Sequence, residues 1–353
     1  MDNNYKKMSC KKLALNIGIF LVLIILTFNF VLKDLDLSKM MSLAVTVNPL
    51  YIVLAIIFMA TFVMCEAINI RRVLVLLEGN INMIKCIKYA CVGFFYSAIT
   101  PFASGGDPLQ IYYMSRDNVD VSSSTLAIFL DLASYQIVTI SIAVISFIAN
   151  ISLVESINSS LYWFLIAGVA FNGIILIFLL IFMFSPKISN GLSKIVSKIS
   201  EKSKSEKIGK FDSWLKNEIK KYQKSSKFIK KNKMVLVKNL ATTTIQILCF
   251  YSIPIIMFLS LGVAPKMCLQ LFSLQAILTV AVSIFPLPGA VGANEIGFIA
   301  IYSTLVGKGI VNSTMLLSRG ISFYLFVIVT GLFIVIANNH KKVAKNTEKS
   351  CQI

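Results

Sequence analysis

Histidine is almost missing from this chain: it occurs once in 353 residues, at position 340. Imidazole acid–base catalysis and histidine metal sites are therefore excluded from the interior. Cysteine occurs at positions 10, 65, 86, 91, 249, 268 and 351 but never as C-x-x-C, so the thiols in apolar runs read as packed side chains. No G-x-x-x-x-G-K-[ST] is present, which removes the phosphate loop of ATP hydrolysis. Any transport is then downhill, or coupled to an ion or to the membrane potential. No cofactor, metal or catalytic residue is expected. Charge is scarce, at 14% of residues, and lopsided, with 34 Lys and Arg against 16 Asp and Glu.

Apolar residues fill the rest: 57% of the chain is hydrophobic, and mean hydropathy is +0.79. That is too apolar for a water-soluble domain and marks a polytopic membrane protein. Leu13 to Leu32 is 20 residues without a charge, enough to cross a hydrocarbon core of about 30 Å at roughly 1.5 Å per residue. It is long for a signal-peptide core and no small-residue cleavage site follows, so it reads as a retained first span. Further runs cover Leu50 to Ile70, Tyr89 to Gly106, Leu126 to Ala149, Leu161 to Phe184, Asn239 to Pro265, Met267 to Asn294 and Gly320 to Asn339. A membrane barrel would alternate instead. The expected fold is all-α: one integral membrane domain over residues 1–353, with about eight membrane segments.

The positive charge lies in three segments. The tail 1–12 carries net +3, Pro186 to Lys238 carries sixteen Lys and four acids for net +12, and the end from Asn338 carries net +3. By the positive-inside rule all three are cytoplasmic: both termini (1–12 and 340–353) and the basic loop 186–238. The expected location is the plasma membrane.

Parity then restricts two runs. Span one leaves the cytoplasm and span two returns, and the span from Leu126 must leave again, so Tyr89 to Gly106 cannot cross. It should enter and turn back, with TPFASGGDP (Thr100 to Pro108) at the turn or exit. Downstream, Met267 to about Gly307 must begin and end outside, and it contains FPLPGAVGANE (Phe285 to Glu295). Two broken hairpins entering from opposite faces are the pattern of inverted-repeat transporters, with polar groups near the midplane.

PFASGGDPLQIYYMSRDNVDVSSSTLAIFLD resembles the first signature of the lysylphosphatidylglycerol synthetase transmembrane family, the flippase-like region. PLPGAVGANE resembles its second, and LSRGISFYLFVIVTG (Leu317 to Gly331) its closing Arg-bearing helix. The chain departs from the pattern at Gln110 and Leu132, where the family often has Arg, and at Ala290, which replaces the second Gly of PGG. The resemblance implies a protein that moves or handles phospholipids, in the best-known members aminoacylated phosphatidylglycerol. Those members also carry a soluble domain that transfers lysine from charged tRNA. This chain ends 14 residues after its expected last span, so a bilayer module without that domain is expected. The alternative is a membrane module of lysyl-phosphatidylglycerol synthesis working with a separately encoded aminoacyl-lipid synthase.

Polar groups at depth are the candidates for a headgroup site. Arg319 can clamp phosphate bidentately or form an internal salt bridge to Asp131 or Glu295. Asp107 and Glu295 can meet an ammonium group or cap helix N-termini. Asp131 lies about two turns into a span, where capping does not explain it. Glu66 is expected to pair with Arg71 or Arg72. Gly105, Gly106, Gly289 and Gly292 can expose backbone N–H groups to an anion, whereas Gly297 reads as helix packing. In the basic loop, Ile188, Leu192, Ile195 and Ile199 form one apolar helical face, and Phe211, Leu215, Ile219 and Tyr222 another. These suit helices docked on an anionic inner leaflet, each nearby Lys contributing about 1 kcal/mol. The expected partners are phospholipids; with no Arg in that loop, nucleic acid is not.

Overall fold

The computed structural model describes residues 47–151, 159–185, 191, 197 and 206–337. The expected first span, both basic tails and the face Ile188, Leu192, Ile195 and Ile199 lie outside the described residues. The described residues form helices and turns, with no strand among them. The helices are α1 (Pro49–Glu78), α2 (Met83–Ile99), α3 (Gly106–Arg116), α4 (Val121–Ala149), α5 (Ser159–Phe184), α6 (Glu206–Lys231), α7 (Lys233–Ser260), α8 (Cys268–Val282), α9 (Ala293–Tyr302) and α10 (Lys308–Ala337). Local chemistry starts and stops them. Asn48 accepts from the Leu50 N–H at 2.9 Å with proline at the first helical position, and Asn82 caps α2 the same way through Ile84.

Among the described residues, six helices are long and apolar enough to cross a membrane. One of these, Pro265–Val282, includes the first limb of a hairpin, so hydropathy alone does not distinguish it from a full span. The last span starts at Lys308, not Gly320. Its first three turns carry Lys308, Asn312, Ser313, Thr314, Ser318 and Arg319, which lower the hydropathy although much of that face is buried.

The packing is inverted relative to a soluble protein. Leu50, Val53, Ile57, Met64, Ile68 and Val75 form an exposed stripe on α1, as lipid as solvent requires. Asn69, Gln110, Asn239 and Thr243 are buried within the bundle. Helices α1 and α7 run antiparallel, since Arg72 bonds Asn239, Asn69 bonds Thr243, and the Phe62 and Phe250 rings meet at a tilt with centroids 5.0 Å apart.

Helices α2 and α3 form the first hairpin. Lys88 pairs with Asp117, and Gln110 donates to the Tyr89 carbonyl at 3.1 Å, which sets the limbs antiparallel. Helices α8 and α9 form the second, with the Tyr302 hydroxyl donating to the Leu271 carbonyl at 3.0 Å. The two tips pack against each other. Their backbones correspond in part at positions 187 residues apart. Thr100 and Leu287 are extended, Pro101 and Pro288 open a single 3-10 turn, and Ala103 and Ala290 are left-handed (φ 53° and 51°), whereas Ser104 and Val291 differ (ψ −14° and 136°), as do Gly105 and Gly292 (φ −88° and 88°), which precede the second limb. The residues preceding α4 and α10, Asp120 and Gly307, continue the match with φ −57° and −56°. Since α1 and its counterpart α7 are antiparallel, the repeat is inverted, and the opposed hairpins expected from parity are present.

The first hairpin closes because Gly106 has no side chain. A Cβ there would stand 2.7 Å from the Gly93 carbonyl oxygen and closer still to Ser97 Oγ. Gly106→Val is therefore expected to cost about 1–3 kcal/mol or more. Gly173→Val, where a Cβ meets nothing within 4 Å, should stay within about 1 kcal/mol. Thermal unfolding of the two purified variants in detergent checks the contrast.

Candidate functional site

Two polar groups flank the point where the hairpin tips meet. At the second tip, Glu295 sits in the first turn of α9, and its Oε2 accepts from the Gly292 N–H at 2.6 Å, a carboxylate turned back onto its own helix start. Its Oε1 accepts from Arg319 Nε at 2.8 Å. Arg319 Nη2 donates to the Gly289 carbonyl at 3.2 Å, and the guanidinium lies 4.4 Å from the centre of the Phe323 ring. The two side chains are 9% and 4% exposed, so the pair is buried. Arg319 is the last residue before a π turn, Gly320–Leu325, which locally re-aims the helix. A cavity of about 20 Å³ beside it is lined by Gln275, Asn294, Ser318 and Ser322, room for about one water.

At the first tip the chemistry is acidic. Glu66 Oε1 accepts from Gln110 Nε2 at 2.6 Å, and Asp131 Oδ1 accepts from Asn69 Nδ2 at 2.9 Å. Asn69 links this group to Arg72 Nη1 at 2.9 Å, and Arg72 also reaches Asn239 at 2.7 Å and Thr242 at 2.8 Å. Asp107, in the first turn of α3, is half-buried and makes no ion pair among the described residues. Asp107, Glu66 and Asp131 are close enough to influence one another electrostatically, with Tyr135 beside the last two. No group of three donors among the described residues is arranged to hold a metal ion.

The match to known proteins agrees with this architecture. Residues 13–330 fit the family model described as the lysylphosphatidylglycerol synthase TM region. The chain belongs to that family. Among relatives of this lysylphosphatidylglycerol synthase TM-region protein is a UPF0104 membrane protein of Pyrococcus horikoshii, 24% identical over 337 residues, covering 92% of this chain and 96% of the relative. A UPF0104 membrane protein of Archaeoglobus fulgidus is 24% identical over 294 residues, 78% of this chain and 83% of the relative.

Within the family member's fold, the candidate residues separate into two sets. Arg319, Glu295, Gly289 and Gly292 form one hydrogen-bonded group, and the salt bridge open to Arg319 goes to Glu295, not Asp131. Asp107 and Asp131 belong to the acidic group with Glu66. Glu66 does not pair with Arg71 or Arg72 as expected: Gln110 holds it, Arg71 donates to the Ile81 carbonyl, and Arg72 turns towards Asn69 and α7. Two of the four candidate glycine N–H groups have internal partners: Gly105 donates to Thr100 Oγ1 at 2.9 Å and Gly292 to Glu295 at 2.6 Å. A Cβ at Gly297 would stand 2.7 Å from Leu278 Cδ1, so packing explains that glycine. Asn69, Gln110 and Thr243 were not candidates, although Gln110 stood out as a departure from an expected Arg. The Lys-rich helix α6 lies against the bundle: Tyr222 and Ile229 are in the core, and Ser226 Oγ donates to the Met183 carbonyl at 2.7 Å.

Proposed function

We propose that this protein carries phospholipid headgroups between leaflets of the plasma membrane, with phosphatidylglycerol or its lysylated form as substrate and both termini in the cytoplasm. The observation that carries the reading is the asymmetry of the two tips. The position matching Arg319 in the first repeat is Leu132, so the second tip is a closed ion pair, while among the described residues the carboxylates of the first are in no direct ion pair and Arg72 reaches Asp131 only through Asn69. A headgroup charge at the bilayer centre costs about 2.5–3.5 kcal/mol on insertion scales. A polar path at the meeting point lowers that cost while acyl chains stay in lipid. The unpaired acids suit an ammonium group, and Arg319 suits a phosphate when it exchanges Glu295 for substrate.

The deciding experiment reconstitutes the full chain in proteoliposomes with headgroup-labelled phosphatidylglycerol and its lysylated form, and adds an outside quencher. Protein-dependent loss of the protected signal is expected. If folded protein moves neither lipid, the reading fails and a partner-dependent synthesis module takes its place.

A further inference from the structure

A cleft of about 580 Å³ opens where the end of α1, the start of α4 and the Lys-rich helix α6 come together. It lies outside the hairpin site, and the transport reading makes no use of it. The face α6 turns to the cleft presents Lys221, Lys224, Lys227 and Lys231, about one per turn, while Tyr222, Ser226 and Ile229 are buried against the bundle. Opposite the lysines stands the N-terminus of α4, a helix of 29 residues whose first N–H groups and dipole favour an anion.

Three further observations point to a ligand. Ser122 is 3% exposed and lines the cleft, yet its Oγ has no hydrogen-bond partner among the described residues. The acids nearby are partly committed: Lys221 engages Asp120 at 3.1 Å and Glu218 at 3.4 Å, and Glu218 accepts from the Ser122 N–H at a long 3.3 Å. That leaves Lys224, Lys227 and Lys231 in no ion pair among the described residues, with Glu78 the remaining acid on the wall. Leu76, Leu77 and Phe228 add apolar lining, with Phe228 45% exposed.

We infer that this cleft is a phosphate site for the headgroup of an anionic phospholipid, with Lys224, Lys227 and the Ser122 hydroxyl as its direct contacts. The lysines neutralise the phosphate, the buried hydroxyl and the α4 N-terminus fix its position, and the apolar wall accepts glycerol and the start of the acyl chains. The site is independent of whether the protein moves lipid across the bilayer.

The test titrates the full chain, purified in detergent, with short-chain phosphatidylglycerol, short-chain phosphatidylcholine and inorganic phosphate by calorimetry. The variants are K224Q/K227Q, S122A and a control, K216Q/K220Q, which removes the same charge from α6 away from the cleft. Phosphatidylglycerol should bind more tightly than phosphatidylcholine, and K224Q/K227Q should weaken it about tenfold or more. S122A should weaken it about threefold, and the control by less than about twofold. Inorganic phosphate binding with the same K224Q/K227Q sensitivity upholds the site and identifies a free anion as its ligand; binding of the lipid alone identifies the headgroup. Equal weakening by the two lysine pairs, or equal binding of the two lipids, overturns the inference. Unchanged thermal unfolding of each variant separates lost binding from lost fold.

Discussion

Arg319→Met is expected to destabilise the protein by about 3–5 kcal/mol, because it strands a buried carboxylate. Glu295 is 4% exposed and has two partners on separate oxygens, Arg319 Nε and the Gly292 N–H. Removing the guanidinium leaves the helix-start bond in place but a charge without a cation in a site that water scarcely reaches. Glu295→Gln in the Arg319→Met background should restore much of the loss, since a neutral amide still accepts from Gly292 and no net charge remains buried. Thermal unfolding of the wild type, both single variants and the double variant gives the coupling directly. The same proteins in the translocation assay separate two roles. If Arg319 only braces the hairpin, the double variant regains both stability and transport. If Arg319 meets phosphate, stability returns and transport does not.

The broad architecture was legible in the sequence because lipid imposes strong rules. Apolar length, charge asymmetry and parity together required two segments that turn back, and the structure has helix breaks at Pro101 and Pro288. The repeat was much less legible. Its two halves share only part of their backbone path at the tips, with left-handed Ala103 matching left-handed Ala290, and few side chains, so sequence comparison had only proline, glycine and an acid to compare. The partnerships inside the site were also hidden. Glu66 stands five and six residues before two arginines, near along the chain but off the i,i+3 and i,i+4 spacings at which helical side chains meet; Gln110, 44 positions away, holds it instead because the hairpin folds back and places its amide on the carboxylate. The start of α10 was missed for a related reason. Polar residues inside a bundle look like a loop to a hydropathy window, although Ser313, Thr314 and Ser318 are buried.

Asp107→Asn is expected to slow translocation of the lysylated lipid about tenfold while changing that of phosphatidylglycerol much less. Asp107 suits this test because its side chain has no hydrogen bond or ion pair among the described residues, so the amide removes a charge without breaking a contact. The repeat supplies a second probe at the same place. Leu132 stands where the second half has Arg319, and Leu132→Arg puts a long, flexible guanidinium side chain on α4 one residue from Asp131. It should suppress transport of the ammonium-bearing lipid at least as strongly as Asp107→Asn, since a resident cation competes for the same carboxylates. Phosphatidylglycerol, with no ammonium, should be spared by both changes. Rates for the two labelled lipids in parallel proteoliposomes decide it. A selective loss makes the acidic group a reader of positive headgroups; equal slowing of both lipids makes it part of a polar path that does not distinguish them.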